Sequence, residues 1–182
     1  MQSAARLCYL HGMKNKQWPY FIFIFLLPLL LIFWWWGAFS AATIDQLPRP
    51  AVRYAYLVSE GEYSKAEDRQ NEVLKLLEQQ GIVAGQPITL IEDDPRSTPG
   101  AKRHAQAGIM ISQDAPALQP PLLDGRLPER QALVASARGH PFIVYGKAYG
   151  ALMDYLKAHH LALRLPVAET THDNTLTIEM TL

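Results

Sequence analysis

The chain has 182 residues, and its 17 basic side chains cancel its 17 acidic ones, which leaves no electrostatic footprint for a nucleic-acid partner. Its single cysteine, Cys8, excludes an intramolecular disulfide, so the folded part must be stable without staples. No Gly-rich phosphate loop, Ser/His/Asp order or H-x-x-E-H or C-x-x-C spacing is present, so the sequence implies no cofactor and no metal site.

Residues 18–39, WPYFIFIFLLPLLLIFWWWGAF, carry no charge. A bilayer's hydrocarbon core needs roughly 20 apolar helical residues at about 1.5 Å of rise each, so this run predicts a transmembrane helix whose partner is the lipid bilayer. Pro28 removes one backbone bond and predicts a bend, which a spanning helix tolerates. Trp18 and Tyr20 at one end and Trp34, Trp35 and Trp36 at the other would set amphipathic rings at the headgroup levels. Arg6, Lys14 and Lys16 precede the run, whereas Arg49 and Arg53 lie further beyond it. The positive-inside rule then makes residues 1–17 a cytoplasmic tail and puts the rest of the chain outside. In a Gram-negative cell this is a single-pass inner-membrane protein with a periplasmic domain. A cleaved signal peptide is the rival reading, with small residues in AFSAA at 38–42. The apolar run exceeds the roughly 7 to 15 residues of a signal core, and three tryptophans crowd the cleavage region, so an uncleaved anchor is expected.

Residues 40–50 are small, polar and proline-containing and predict a short linker. One domain follows, 51–182. In AVRYAYLVSEG, Val52, Tyr54, Tyr56 and Val58 alternate onto one face of a strand. Ser64 with Glu67 forms a capping box, and Ala66, Val73, Leu74 and Leu77 make the apolar stripe of a helix that Gly81 ends. ITLI and AGIMIS are strands separated by the turn-rich EDDPRSTPG, and a proline-bearing connection, APALQPPLLDGRLPE, follows. QALVASARG then reads as a strand and PFIVYGKAYGALMDYLKAHHL as a helix. Pro141 suits its first turn, and Tyr145, Tyr149, Leu152 and Leu156 share a face. VAETTHD and TLTIEMTL close the chain as two strands.

Placing Gly61 over Gly139 brings Leu74 over Leu152, an internal repeat of about 78 residues. Two β-α-β-β units side by side predict an α+β domain: an antiparallel sheet with both helices on one face and a groove between the halves.

GEYSKAEDRQNEVLKLLEQQGI, IEDDPRSTPGAKRHAQAGIMI and AETTHDNTLTIEMTL together resemble the GyrI-like domain, a small-molecule-binding module of transcription regulators and stand-alone proteins. The likeness covers about 51–182. Asp93, Asp94 and Pro95 with Pro99, Lys102, Ala107 and Gly108 keep the spacing of a subgroup that carries an N-terminal membrane anchor. The resemblance implies the duplicated β-α-β-β fold and a groove that takes up hydrophobic, often cationic, organic molecules. It also implies a groove-facing glutamate on the penultimate strand, a position that Glu169 occupies. Two aromatic positions of the family are Thr171 and Glu92 here, which makes the implied pocket more polar or signals that binding has been lost.

A carboxylate in an apolar groove is costly unless paired, and aromatic faces beside it would make a site for an amphipathic cation. Tyr54, Tyr56, Tyr145 and Tyr149 are the expected walls around Glu169. The bland alternative is that these tyrosines pack the core and that Glu169 is solvated or paired internally, for instance with Arg138. Gly146 and Gly150 sit one turn apart inside the second helix, at roughly 1 kcal/mol each relative to alanine, which asks for close packing or a ligand. His159 and His160 point about 100° apart on a helix and so cannot clamp one metal, and His172 with Asp173 reads as a turn. The expected function is therefore binding of an amphipathic small molecule. A protein-interaction or inhibitory module using the same groove or a sheet edge is the alternative, and a small-molecule hydrolase is less favoured because no positioned acid–base partner for Glu169 is identifiable.

Overall fold

The computed structural model describes residues 18–36, 40–61, 64–94 and 97–182. The N-terminal tail with Cys8 and the flanking cations Arg6, Lys14 and Lys16 lies outside the described residues, as do Pro95 and the side chain of Ser64. The chain divides into two units, 1–39 and 40–182.

The first unit holds helix α1, Trp18–Trp35, with Pro28 inside it. Its large apolar side chains from Tyr20 onward are 40–89% exposed wherever they are described. At 18 residues it advances roughly 27 Å, against a hydrocarbon core of roughly 30 Å. Among the described residues no helix is long and apolar enough to cross a membrane. The last part of the apolar run, residues 37–39, lies outside the described residues.

The second unit is one antiparallel sheet of eight strands in the order β1-β6-β8-β7-β3-β4-β2-β5. The strands are β1 Thr43–Arg49, β2 Val52–Glu60, β3 Pro87–Ile91, β4 His104–Ile111, β5 Leu123–Leu127, β6 Arg130–Arg138, β7 Val167–His172 and β8 Thr175–Thr181. Helix α2, Ser64–Gln79, packs on β2 and β4, and helix α3, Pro141–Ala158, packs on β6, β8 and β1. Each half is thus β-α-β-β, β2-α2-β3-β4 and β6-α3-β7-β8, as the repeat predicted.

Two segments expected to be irregular are strands. Residues 43–49, expected to be linker, pair as β1 with β6, and 123–127, expected to be connection, pair as β5 with β2. The reason is tertiary. Neither TIDQLPR nor LDGRL alternates apolar and polar residues, because an edge strand with exposed side chains needs only free backbone partners, which β6 and β2 supply. The exchange is reciprocal: β1 precedes β2 but pairs with β6, whereas β5 precedes β6 but pairs with β2.

The helix-bearing face carries most of the core. Val144, Ala148, Leu152 and Leu156 of α3 bury against Leu133, Val167, Ile178 and Met180, and Val73 and Leu77 of α2 bury against Ala55, Ile109 and Ile111. Both helices end alike. The Ile82 amide donates to Leu77 O and the Gly81 amide to Glu78 O, while the Leu161 amide donates to Leu156 O and the His160 amide to Lys157 O. Gly81 and His160 hold the left-handed conformation of this motif at φ +68° and +54°. Matching these ends puts Leu77 over Leu156 and Val73 over Leu152. The sequence alignment, which placed Leu74 over Leu152, was one residue out, because Gly61 and Gly139 lead into helices that start differently. Asp173 and Asn174, both at positive φ, make the two-residue turn between β7 and β8, so His172 and Asp173 form an exposed hairpin tip.

Candidate functional site

β7 and β3 sit side by side at the middle of the sheet, between the strands covered by α2 and those covered by α3. Their pairing sets Thr89 opposite Glu169, and Glu169 is in turn opposite Ile178 of β8. Side chains directly opposite share a face, so Glu169 projects to the helix side of the sheet, at the seam between the strands that α2 packs on and those that α3 packs on. Gln70 of α2 reaches this seam and donates to Thr89 Oγ1 at 2.9 Å and to Ile88 O at 3.2 Å. From the other side the hydroxyl of Tyr149, on α3, donates to Glu169 Oε1.

Glu169 is half-buried. Burial pushes its carboxyl up to about 7, and the Tyr149 hydrogen bond only partly opposes this by favouring the ionised form. Among the described residues no cationic side chain pairs with it, Arg138 included. Tyr145, one turn before Tyr149, is 46% exposed. Its phenol is raised, first by desolvation and then by the negative charges of Glu169 and of Glu67 on α2, which puts all three groups in one electrostatic neighbourhood.

The structure therefore brings together Glu169, Tyr145 and Tyr149 and separates Tyr54 and Tyr56 from them. Ala55 packs on α2, so the alternation of β2 sends Tyr54 and Tyr56 to the opposite face. There Tyr54 is 3% exposed and packs with Ile88, Leu90 and Ala168, its ring centroid 5.6 Å from that of Tyr56. Its hydroxyl donates to Gln106 Oε1 at 2.7 Å, and Gln106 Nε2 donates to Glu92 Oε1 at 2.6 Å. Burial, with the charges of Tyr56 and Glu92 behind it, pushes the Tyr54 phenol up to about 12. Glu92 belongs to this chain of hydrogen bonds on the far face, so its replacement of an aromatic residue does not alter the strip around Glu169. Strand alternation groups Tyr54 with Tyr56 but does not decide which face of β2 meets a helix.

Gly146 and Gly150 do not answer a packing demand: a Cβ built on either meets nothing within 4 Å. Both are exposed on α3. In the acidic turn, Asp93 Oδ2 accepts the His104 amide at 2.7 Å and contacts His104 Nδ1 at 3.0 Å, and the amide bond in particular holds its carboxyl below the usual range. This turn ties β4 in place and is not part of the strip. Thr89 and Gln70 were missed from sequence, although a glutamine next to the apolar stripe of α2 and a threonine inside ITLI are the polar breaks that mark a helix–sheet contact.

No family model and no curated protein matches the sequence. Solved structures do match. EcmrR in a complex with DNA aligns with a TM-score of 0.61 and 12% identity, over 86% of this chain and 64% of that one. The chain thus spans less than two thirds of EcmrR. The EcmrR C-terminal domain alone aligns at 0.60 and 12% identity, over 77% of this chain and 95% of the domain. An uncharacterized conserved protein from Listeria innocua aligns at 0.57 and 6% identity, over 76% and 91%. At such identities the likeness is one of fold. The neighbours have the GyrI-like fold, and so does this chain.

Proposed function

We propose that this chain is a membrane-tethered GyrI-like domain that takes up an amphipathic, cationic small molecule between α2 and α3. Glu169 supplies the counter-charge, and the rings of Tyr145 and Tyr149 supply an aromatic wall. The observation that carries this reading is a half-buried carboxylate held by one neutral donor, with no cation beside it among the described residues. Such a group gains most from a ligand that brings the missing charge, and a cation over aromatic faces gains further from the rings. The tether rests on α1, which is apolar on every side and exposes its side chains, together with the apolar sequence that continues to Phe39. In this reading the anchor is uncleaved, the N-terminus is cytoplasmic and the domain faces the periplasm or cell exterior.

The test uses the full chain in detergent with benzyltrimethylammonium and its neutral isostere neopentylbenzene. The cation is expected to bind, with an affinity that rises roughly tenfold from pH 6 to pH 8 as a carboxyl with a pKa of about 7 ionises. Glu169→Gln should abolish the preference for the cation while leaving the fold intact. Equal binding of the two probes by the wild type, or an unchanged preference in the variant, would overturn the assignment. Topology is read separately, from Cys8→Ser combined with Asp114→Cys, which puts one thiol in an exposed loop. A membrane-impermeant thiol reagent should label it in intact cells, and labelling only after lysis would reverse the orientation.

A further inference from the structure

The sheet face turned away from α2 and α3 holds a cavity of about 200 Å³, walled by Val52, Ile88, Met110, Leu127 and Ala168. Two arginines and one glutamate close its polar end. Arg49 of β1 and Arg130 of β6 are direct cross-strand partners, an arrangement of like charges that is unfavourable unless something lies between them. Glu179 of β8 does so. Its Oε1 accepts from Arg49 Nε at 2.7 Å, and its Oε2 accepts from Arg130 Nη2 at 2.6 Å. Arg130 and Glu179 are each 7% exposed at the side chain, and Arg49 is 33% exposed.

The charges do not cancel. Among the described residues that line the cavity, Glu179 is the one carboxylate and both its oxygens are engaged, two guanidinium groups are present, and one positive charge is left over at the mouth of the cavity. Guanidinium N–H groups also remain: besides Glu179, Arg130 donates to Pro128 O at 3.4 Å, and Arg49 has no other acceptor among the described residues. A buried ion triad of this kind contributes little to stability compared with apolar residues of the same volume, so its presence beside a cavity needs another reason. A planar guanidinium with donors to spare is the group best matched to a carboxylate.

We propose that this cavity is a second ligand site, independent of the groove at Glu169, and that it binds a small organic carboxylate whose apolar tail fills the space between Ile88, Met110 and Leu127. The ligand's carboxylate completes the charge balance by pairing with Arg49 and Arg130. A volume of about 200 Å³ is below the usual range for drug-sized pockets and suits a small ligand with a short apolar tail.

The probe is hexanoate, titrated calorimetrically into the full chain in detergent at low salt, with hexanamide as the neutral control. Saturable binding of hexanoate at least tenfold tighter than of hexanamide is expected. Arg49→Gln should weaken hexanoate at least tenfold and Arg49→Lys less, because lysine keeps the charge. Leu127→Trp should block hexanoate by filling the cavity without touching a charge, and Glu169→Gln should leave it unchanged. No saturable binding to the wild type, equal binding of hexanoate and hexanamide, or wild-type affinity in both Arg49→Gln and Leu127→Trp would each overturn the proposal. The outcome is independent of whether benzyltrimethylammonium binds.

Discussion

Glu169→Gln should make the domain more stable at neutral and alkaline pH while removing its cation preference. In the folded chain burial holds the carboxyl at about 7, whereas the free group titrates at 4.5. Between these values the native state keeps a proton that the unfolded state has released. The unfolded state therefore binds fewer protons, and stability falls as pH rises through this window. Below about 4.5 both states are protonated and the residue is neutral in its effect. Above about 7 the full cost is present, and the interval at about 1.36 kcal/mol per pH unit gives a ceiling of about 3 kcal/mol. Because Glu169 is only half-buried, the measured value should lie below that ceiling. Glutamine keeps an acceptor for the Tyr149 hydroxyl and carries no charge, so it should relieve the cost without creating a cavity.

The assay is urea unfolding of both proteins across pH 4.5 to 8.5, followed by the β-sheet circular dichroism signal. Tryptophan fluorescence would not serve, since all four tryptophans lie at or before residue 36. The two proteins should have similar stability at pH 4.5, and the variant should pull ahead as pH rises, by roughly 1 to 3 kcal/mol at pH 8.5. A difference that stays flat with pH, or a wild type that gains on the variant as pH rises, would show that Glu169 has a compensating charge. The argument for a ligand cation would then fail.

Three further outcomes follow from the same structure. Tyr149→Phe removes the one hydrogen bond that favours ionised Glu169, so the pH midpoint of benzyltrimethylammonium binding should move upward and affinity at pH 7 should fall. Gly146→Ala and Gly150→Ala should each stabilise the domain by roughly 0.5 to 1 kcal/mol in urea unfolding, because helical alanine is preferred and a Cβ meets nothing at either site. Gly125→Ala should destabilise by about 2 kcal/mol in the same measurement, because its Cβ would collide with the ring of Tyr54, which is buried and held by Gln106.

The duplicated architecture was legible because its signals are local. The stripe Ala66, Val73 and Leu77 reports α2, Pro141 opens α3, and the alternation of TLTIEMT reports β8, each from a few neighbouring residues. Glu169 was legible only through its resemblance to a family position, since a glutamate in VAETTH has no distinctive period. Tyr145 and Tyr149 came from helix spacing, which places them beside the Leu152 and Leu156 face that is buried. The edge strands were hidden because their pairing partners lie about 90 and 70 residues away and their side chains stay in water. The face of β2 was hidden for a related reason. Both Val52, Tyr54 and Tyr56 on one side and Arg53, Ala55 and Leu57 on the other can be buried, and only the position of α2 decides which set meets a helix. Arg53 shows how far the pattern misleads: it is 5% exposed, held by Asp124 and by the carbonyls of Gln113 and Ala115.

Duplication also explains why both candidate sites flank β7. α2 packs on β2 and β4 and α3 on β6, β8 and β1, so the β7–β3 pairing is the seam between the two helix-covered regions. Glu169 is half-buried there, while Val167 on the same strand and Ile178 one strand away are sealed under α3. Across the same strand Ala168 faces the other way and floors the arginine-lined cavity, so consecutive residues face the two proposed sites. The reciprocal exchange of β1 and β5 binds each half to the segment preceding the other. Opening the seam like a hinge would break the β3–β7 ladder and strain both exchanged strands. Rotation of the half-exposed Tyr145 ring breaks no ladder hydrogen bond. In the proposed reading, ligand entry at Glu169 therefore needs side-chain rotation and the loss of one proton, and no movement of the halves.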